Sequence, residues 1–220
     1  MRCARRTLLL AGVGVVLALA TGVAGANALR TGGAFPTVEE ALELVFGKRA
    51  VTKETIYLTK EQRARVEELL GEELESAVAR PYVAREEDGT LHGVAWFDTH
   101  EVRSKKETLM CAVDASGAIL RVEVLAFQEP RDYLPRGSFY GQFVGERLDE
   151  HLVLDGDVRG VAGATITSRV TVAAARRALA LHLVLFPPPE PEPGPEPPPE
   201  PRPEPLPRPE PPHDPTSNTR

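Results

Sequence analysis

Leu109-Met110-Cys111-Ala112-Val113-Asp114-Ala115-Ser116-Gly117-Ala118-Ile119-Leu120-Arg121-Val122-Glu123-Val124-Leu125-Ala126-Phe127 is the stretch on which the fold turns. Two apolar runs, Leu109 to Val113 and Ile119 to Phe127, flank Asp114-Ala115-Ser116-Gly117, a turn signal between strands. Val122, Val124 and Ala126 alternate with Arg121, Glu123 and Leu125, which predicts a sheet with one wetter face. Upstream, Pro81 to Arg85 and Leu91 to Phe97 flank Glu86-Glu87-Asp88-Gly89, a second hairpin signal. Two helices precede the strands. Thr37-Val38-Glu39-Glu40 and Thr59-Lys60-Glu61-Gln62 are capping boxes, a hydroxyl followed three residues later by Glu or Gln. They open helices from Val38 to Phe46 and through Leu70, stopped by Gly47 and Gly71. A last helix runs from about Ser168 to Phe186, with Arg169, Arg176 and Arg177 on a polar face. Val172, Ala175, Leu179, Leu183 and Phe186 are its core candidates. Several antiparallel strands with flanking helices predict an α+β domain.

Outside this domain the chain changes character. Seventeen of its 21 prolines fall between Pro187 and Arg220, interspersed with Glu190, Glu192, Glu196, Glu200, Glu204 and Glu210. Such a stretch cannot bury apolar surface, so residues 187–220 are expected to be a disordered or polyproline II tail. Residues 1–30 carry four arginines and no acid. Arg2, Arg5 and Arg6 precede an uncharged run from Thr7 to Leu29, long enough for a helix that spans a bilayer. The basic start should stay cytoplasmic and send the rest outward. Ala24-Gly25-Ala26 and Ala26-Asn27-Ala28 offer small-residue cleavage sites, so signal peptide and retained anchor both fit. Arg5-Arg6-Thr7-Leu8-Leu9 permits a twin-arginine signal. The expected organisation is therefore 1–30 signal or anchor, 31–75 the helical N-terminal part of the domain, 76–186 the functional part, and 187–220 the tail.

Composition excludes several classes. The part between Arg30 and Pro187 is net acidic, which argues against a nucleic-acid binder. Two cysteines allow at most one disulfide, and export leaves Cys111 alone, expected as a buried strand thiol. His92, His100, His151 and His182 show no metal-ligand spacing, and no Cys-x-x-Cys-His is present for haem. Asp88 and Asp98 are expected as turn residues beside strands.

The chemistry-bearing stretch is Gly160-Val161-Ala162-Gly163-Ala164-Thr165-Ile166-Thr167-Ser168. Small residues let backbone approach a ligand closely, and hydroxyls sit where helix amides are unpaired. Amides and helix dipole together suit a phosphate. The same residues also read as a plain glycine turn with Thr167 or Ser168 as N-cap.

Gly163-Ala164-Thr165-Ile166-Thr167-Ser168 resembles the flavinylation motif of the FMN-binding domain family. This domain occurs in the G subunit of Rnf complexes, the C subunit of the sodium-pumping NADH:quinone oxidoreductase, and exported single-domain proteins. The resemblance takes in His100 to Glu107, Asp114 to Gly117, Val122 to Leu125 and Gln128-Glu129-Pro130, and covers roughly Tyr82 to Leu181. It implies that 76–186 binds FMN, joined through its phosphate to Thr165 by a separate flavin transferase. Gly163 and Ala164 would give the phosphate room and amides, with Ile166 beside them. Thr167 and Ser168 would cap the helix or donate to phosphate oxygens. Arg159 stands where the family has an acid and Ala162 where it often has Ser or Thr, which leaves non-covalent FMN with Arg159 near the phosphate as an alternative. Tyr133, Phe139, Tyr140 and Phe143 are candidates for the ring's slot, and Glu129 for a flavin contact or a strand end. The implied function is an exported, membrane-tethered flavoprotein relaying electrons between redox donor and acceptor proteins. An envelope adaptor without flavin and an extracytoplasmic flavin-dependent reductase are the alternatives.

Overall fold

A computed structural model describes residues 34–188. The predicted export segment and nearly all of the Pro/Glu-rich tail lie outside the described residues. Among the described residues, no helix is long and apolar enough to cross a membrane.

Helices α1 (Val38–Phe46) and α2 (Lys60–Leu70) begin at the two capping boxes, with both reciprocal bonds made in each. The Thr37 hydroxyl accepts from the Glu40 amide at 3.2 Å, while the Glu40 carboxylate accepts from the Thr37 amide at 2.9 Å. Gly47 and Gly71 stop the helices at φ 64° and 73°, a region that disfavours side chains with a Cβ.

The sheet contains β1 (Ala50–Lys53), β4 (Tyr82–Arg85), β5 (Leu91–Glu101), β6 (Lys106–Asp114) and β7 (Ile119–Phe127). Their spatial order is β1-β4-β5-β6-β7, every pair antiparallel. The short strands β2 (Ile56–Tyr57) and β3 (Val78–Ala79) form a separate ladder. The segment 31–75, expected as the helical N-terminal part of the domain, also supplies β1 and β2. Both hairpins form, with β5 and β6 longer than predicted. A 3-10 turn (Arg131–Tyr133), α3 (Gly137–Gly141) and α4 (Thr165–Leu185) complete the fold.

Both faces of the sheet are covered, which corrects the expectation of a wetter face. Against one face α3 (Phe139), the loop after it (Phe143) and α4 (Val172, Ala175, Leu179) pack onto Val94, Trp96, Leu109, Cys111 and Val122. Against the other, α1 packs Ala41, Leu42 and Phe46 onto Ala84, Ala95, Met110 and Ala112. On that second face Glu123 is 8% exposed and held by Arg121 at 2.7 Å, so the two charges neutralise one another as they lose water. The alternation in β7 also breaks. Leu109 pairs with Val124 but Thr108 with Ala126, so Leu125 is a bulge residue, and Phe127 rather than Ala126 joins the α4-side core. Within α4, Leu183 is 39% exposed and does not serve the core.

The outer edge of β7 is closed at its start. The Ile119 amide donates to the Glu146 carbonyl at 2.9 Å, and the Ile119 carbonyl accepts from the Gly145 amide at 2.8 Å. At the far edge, β1 has four residues and ends on Lys53.

Candidate functional site

Helix α4 starts differently from α1 and α2. Its N-cap is Ala164, and no side chain caps it. The first helical bond is that of the Ser168 amide to the Ala164 carbonyl at 2.8 Å. The amides of Thr165, Ile166 and Thr167 therefore precede any intrahelical acceptor. Just before them the chain turns through Gly163 at φ 83°, where a side chain would be strained. Gly163 is exposed, and a Cβ there would meet nothing within 4 Å, so the backbone is open to an incoming group.

The hydroxyls of this turn divide by direction. Thr165 is exposed, as is Ile166 beside it. Thr167 and Ser168 are buried and spent on the protein itself. Thr167 donates to the Tyr133 carbonyl at 2.7 Å, and Ser168 donates to the Ala164 carbonyl at 3.0 Å. Ser168 Oγ also lies 3.4 Å from the Val161 amide that donates to it. Neither residue caps the helix nor faces outward, as the sequence motif alone suggested they would. They fix the turn, and Thr165 is left as the hydroxyl at the open helix end. Replacing Thr167 by Val should leave the Tyr133 carbonyl without this donor and cost about 1–3 kcal/mol in urea unfolding.

Other predicted residues fall into place around this turn. Arg159 is exposed, and its backbone is pinned in both directions by Gln142: its amide donates to Oε1 at 2.9 Å and its carbonyl accepts from Nε2 at 3.2 Å. Tyr133 stays at the site, half-buried, with the Arg103 guanidinium 4.1 Å above its ring. Phe139, Tyr140 and Phe143 instead form an edge-to-face core cluster, with ring centroids 5.2 and 5.5 Å apart. Glu129 neither merely ends a strand nor points into open space. It accepts from the amides of Ser104 and Lys105 at 2.8 and 3.0 Å, stapling the β5–β6 turn to the end of β7. Those amide bonds, Ser104 first, hold its carboxyl below the usual glutamate range.

A partly buried charge cluster lies on the α4 side of the sheet. His100 Nδ1 is 2.8 Å from Asp98 Oδ1 and His100 Nε2 is 3.1 Å from Glu107 Oε2. Arg177 of α4 reaches Asp98 at 2.5 Å and Glu72 at 3.1 Å. Asp98 is thus a strand residue in an ion network and not a turn residue. Burial opposes a charge on His100, but the hydrogen bonds of Asp98 and Glu107 outweigh it and push its pKa up to about 9. Burial raises Glu107, which is fully enclosed, and its Oε1 has no partner among the described residues. Sequence reasoning missed this cluster because its members are far apart in the chain. The one local signal was Asp98 and His100 two apart in a strand, hence on one face. Beside it lies a cavity of about 40 Å³ between α4 and the sheet, lined by Trp96, Asp98, Cys111, Ala174, Arg177 and Ala178. Cys111 is buried there, which pushes its thiol to about 12 and keeps it unreactive. Among the described residues no three His, Cys, Asp or Glu are grouped to hold a metal.

Residues 82–180 match the family model of the FMN-binding domain. This stretch is an FMN-binding domain. Its cofactor is FMN. No curated protein matches the chain. The match begins at the first residue of β4 and ends within α4, so α1, β1, β2, α2 and β3 lie outside it. The residues at the start of α4 fit the cofactor's phosphate: three amides without intrahelical acceptors, an open glycine turn and an exposed hydroxyl suit a tetrahedral oxyanion. When bound, FMN supplies redox chemistry through its ring, while the protein supplies placement and electrostatics. In this FMN-binding domain the buried hydroxyls of Thr167 and Ser168 hold the backbone that would receive the phosphate.

Proposed function

We propose that this chain is an exported, membrane-tethered flavoprotein whose FMN is joined by a phosphoester to Thr165 and relays electrons. The observation that carries this reading is the exposed Thr165 hydroxyl at an uncapped helix start inside an FMN-binding domain. Attachment needs an activated flavin donor and a flavin transferase. The Oγ–phosphorus bond forms, the donor's phosphoanhydride bond breaks to release its other phosphate half as the leaving group, and the Thr165 hydroxyl proton passes to that phosphate or to solvent. The phosphate then sits against the amides of residues 165–167, where the helix dipole favours its charge. Ala162 lacks the hydroxyl that relatives often have, but its position is exposed and no described contact depends on a side chain there. Export and tethering rest on the arginines before the uncharged run from Thr7 to Leu29.

The test is expression with a flavin transferase in an exporting host, followed by in-gel flavin fluorescence and intact mass. The wild type should fluoresce and carry the mass of one FMN. Thr165→Ala should be dark with the fold intact, and Thr165→Ser should retain label. A Thr165→Ala band as bright as wild type sinks the phosphoester. Mass also reports whether the first residues are removed, and so whether the tether survives.

A further inference from the structure

The start of α4 lies at one pole of the domain, together with the β5–β6 turn and the 3-10 turn. Tyr133 joins the three, because its carbonyl accepts from Thr167 while its ring lies under Arg103. The pole is rich in cations. Arg103, Lys105 and Lys106 lie on or beside the β5–β6 turn, Arg131 and Arg136 flank Tyr133, Arg159 precedes the helix, and Arg169 is one turn beyond Thr165. Arg103, Arg136, Arg159 and Arg169 are exposed and form no ion pair among the described residues. Elsewhere Arg49, Arg63, Arg65, Arg85, Arg121 and Arg177 are paired with carboxylates, while Arg147 and Arg176 bond mainly to backbone carbonyls. At the pole itself Glu101, Glu129, Asp132, Asp155 and Asp157 reduce the local excess without pairing with its exposed arginines. One phosphoester carries one negative charge, too little to account for four exposed guanidinium groups.

At the opposite end of the sheet acids and cations balance: Lys48, Arg49 and Arg85 lie with the β4–β5 turn, and Arg147 bonds to Ser116 of the β6–β7 turn. The β4–β5 turn carries Glu86, Glu87 and Asp88, and the β6–β7 turn carries Asp114. The poles are separated by the length of β5, whose 11 residues span roughly 35 Å. A domain that is acidic overall therefore has a basic end, and that end holds Thr165.

The chain also enters at this basic end. Phe35, the second described residue, lies 4.8 Å under the Arg131 guanidinium, two residues from Tyr133. Between Leu29, the end of the uncharged run, and Phe35 there are six residue steps, which reach at most about 20 Å. If the run stays in a bilayer, the basic pole cannot be far from its surface.

We infer that the basic pole, with Thr165 in it, faces the anionic phospholipid headgroups of the membrane that holds the N-terminal run. The inference rests on the membrane-tether reading and adds an orientation to it. Short tether and exposed cations act together: the tether sets the distance, and the field of the headgroups draws the cation-rich end toward the surface, with the charge-balanced end away from it. Electron exchange at Thr165 would then be with carriers in or against the bilayer.

The test uses the full chain with Cys3→Ser, reconstituted in lipid nanodiscs. A donor dye is placed at Ser104→Cys on the basic pole or at Glu87→Cys on the opposite one, and acceptor-labelled lipid reports proximity. In discs of phosphatidylcholine with phosphatidylglycerol, transfer should be greater from position 104 than from position 87. It should fall when phosphatidylglycerol is omitted, when salt is raised, and in the Arg103→Glu/Arg159→Glu/Arg169→Glu variant, whose folding is checked by circular dichroism. Equal transfer from the two poles, or transfer indifferent to lipid charge and to the triple reversal, overturns the orientation and leaves the cations to an acidic protein partner. A chain that does not stay in the discs overturns the tether itself, a different failure, seen before any transfer is measured.

Discussion

His100→Ala is expected to lower the unfolding free energy by about 3–5 kcal/mol, because it leaves Asp98 and Glu107 as partly or fully buried carboxylates without their shared partner. Glu107 is wholly enclosed and Asp98 is one-fifth exposed, so water cannot replace the imidazolium at the former and does so only in part at the latter. For a domain of this size the loss corresponds to a Tm drop of roughly 10 °C, measured by calorimetry. The pH dependence has a definite sign. His100 has its pKa raised from 6.5 to about 9, so it binds its proton more tightly folded than unfolded. Its contribution is present in full below the ordinary histidine value and is lost as pH rises through about 9. Glu107, also raised, acts in the same direction at lower pH. Asp98, lowered despite its burial by the bonds from His100 and Arg177, acts oppositely and loses its contribution in acid. Wild-type stability should therefore decline between pH 6.5 and 9, and His100→Ala should lack that decline. An unchanged slope in the variant would show that His100 is not charged in the folded protein.

Phe46→Ala is expected to cost about 3–5 kcal/mol by loss of buried area and creation of a cavity. The ring is fully buried between α1 and the second sheet face and meets His92 edge-on with centroids 6.0 Å apart. It lies so close to Gly93 that a Cβ there would come within 3.1 Å of the ring and 2.7 Å of the Val113 carbonyl. The prediction concerns a residue outside the matched family stretch, and urea unfolding checks it. A loss below 1 kcal/mol would mean that α1 is an appendage and not part of the same cooperative unit.

The helices that begin at capping boxes were legible to the residue, since Thr37 with Glu40 and Thr59 with Gln62 fix their starts through local bonds. The hairpin at Asp114 was legible for the same reason: its carboxylate accepts from the amides of Ser116 and Ala118. Strands β1, β2 and β3 were not. They are two to four residues long and acquire their pairing from partners far along the chain. The two-sided burial of the sheet was missed because Ala84, Ala95, Met110 and Ala112 gain meaning only when α1 covers them. At the site, the motif located Thr165 and the turn, and its start of α4 was three residues earlier than predicted. It could not tell which hydroxyls face inward. That depends on Tyr133, which reaches Thr167 from a turn more than thirty residues away.

The guarded edges of the sheet bear on association between copies of this chain. An exposed strand edge is a template on which another copy can add, and newly folded chains at high local density are most at risk. Here β7 is capped where Ile119 bonds to Gly145 and Glu146, and β1 is short and ends in a lysine. Ile119→Pro, which removes the amide that bonds Glu146, would open the β7 edge, and its signature would be aggregation of the newly folded chain and not a change at Thr165.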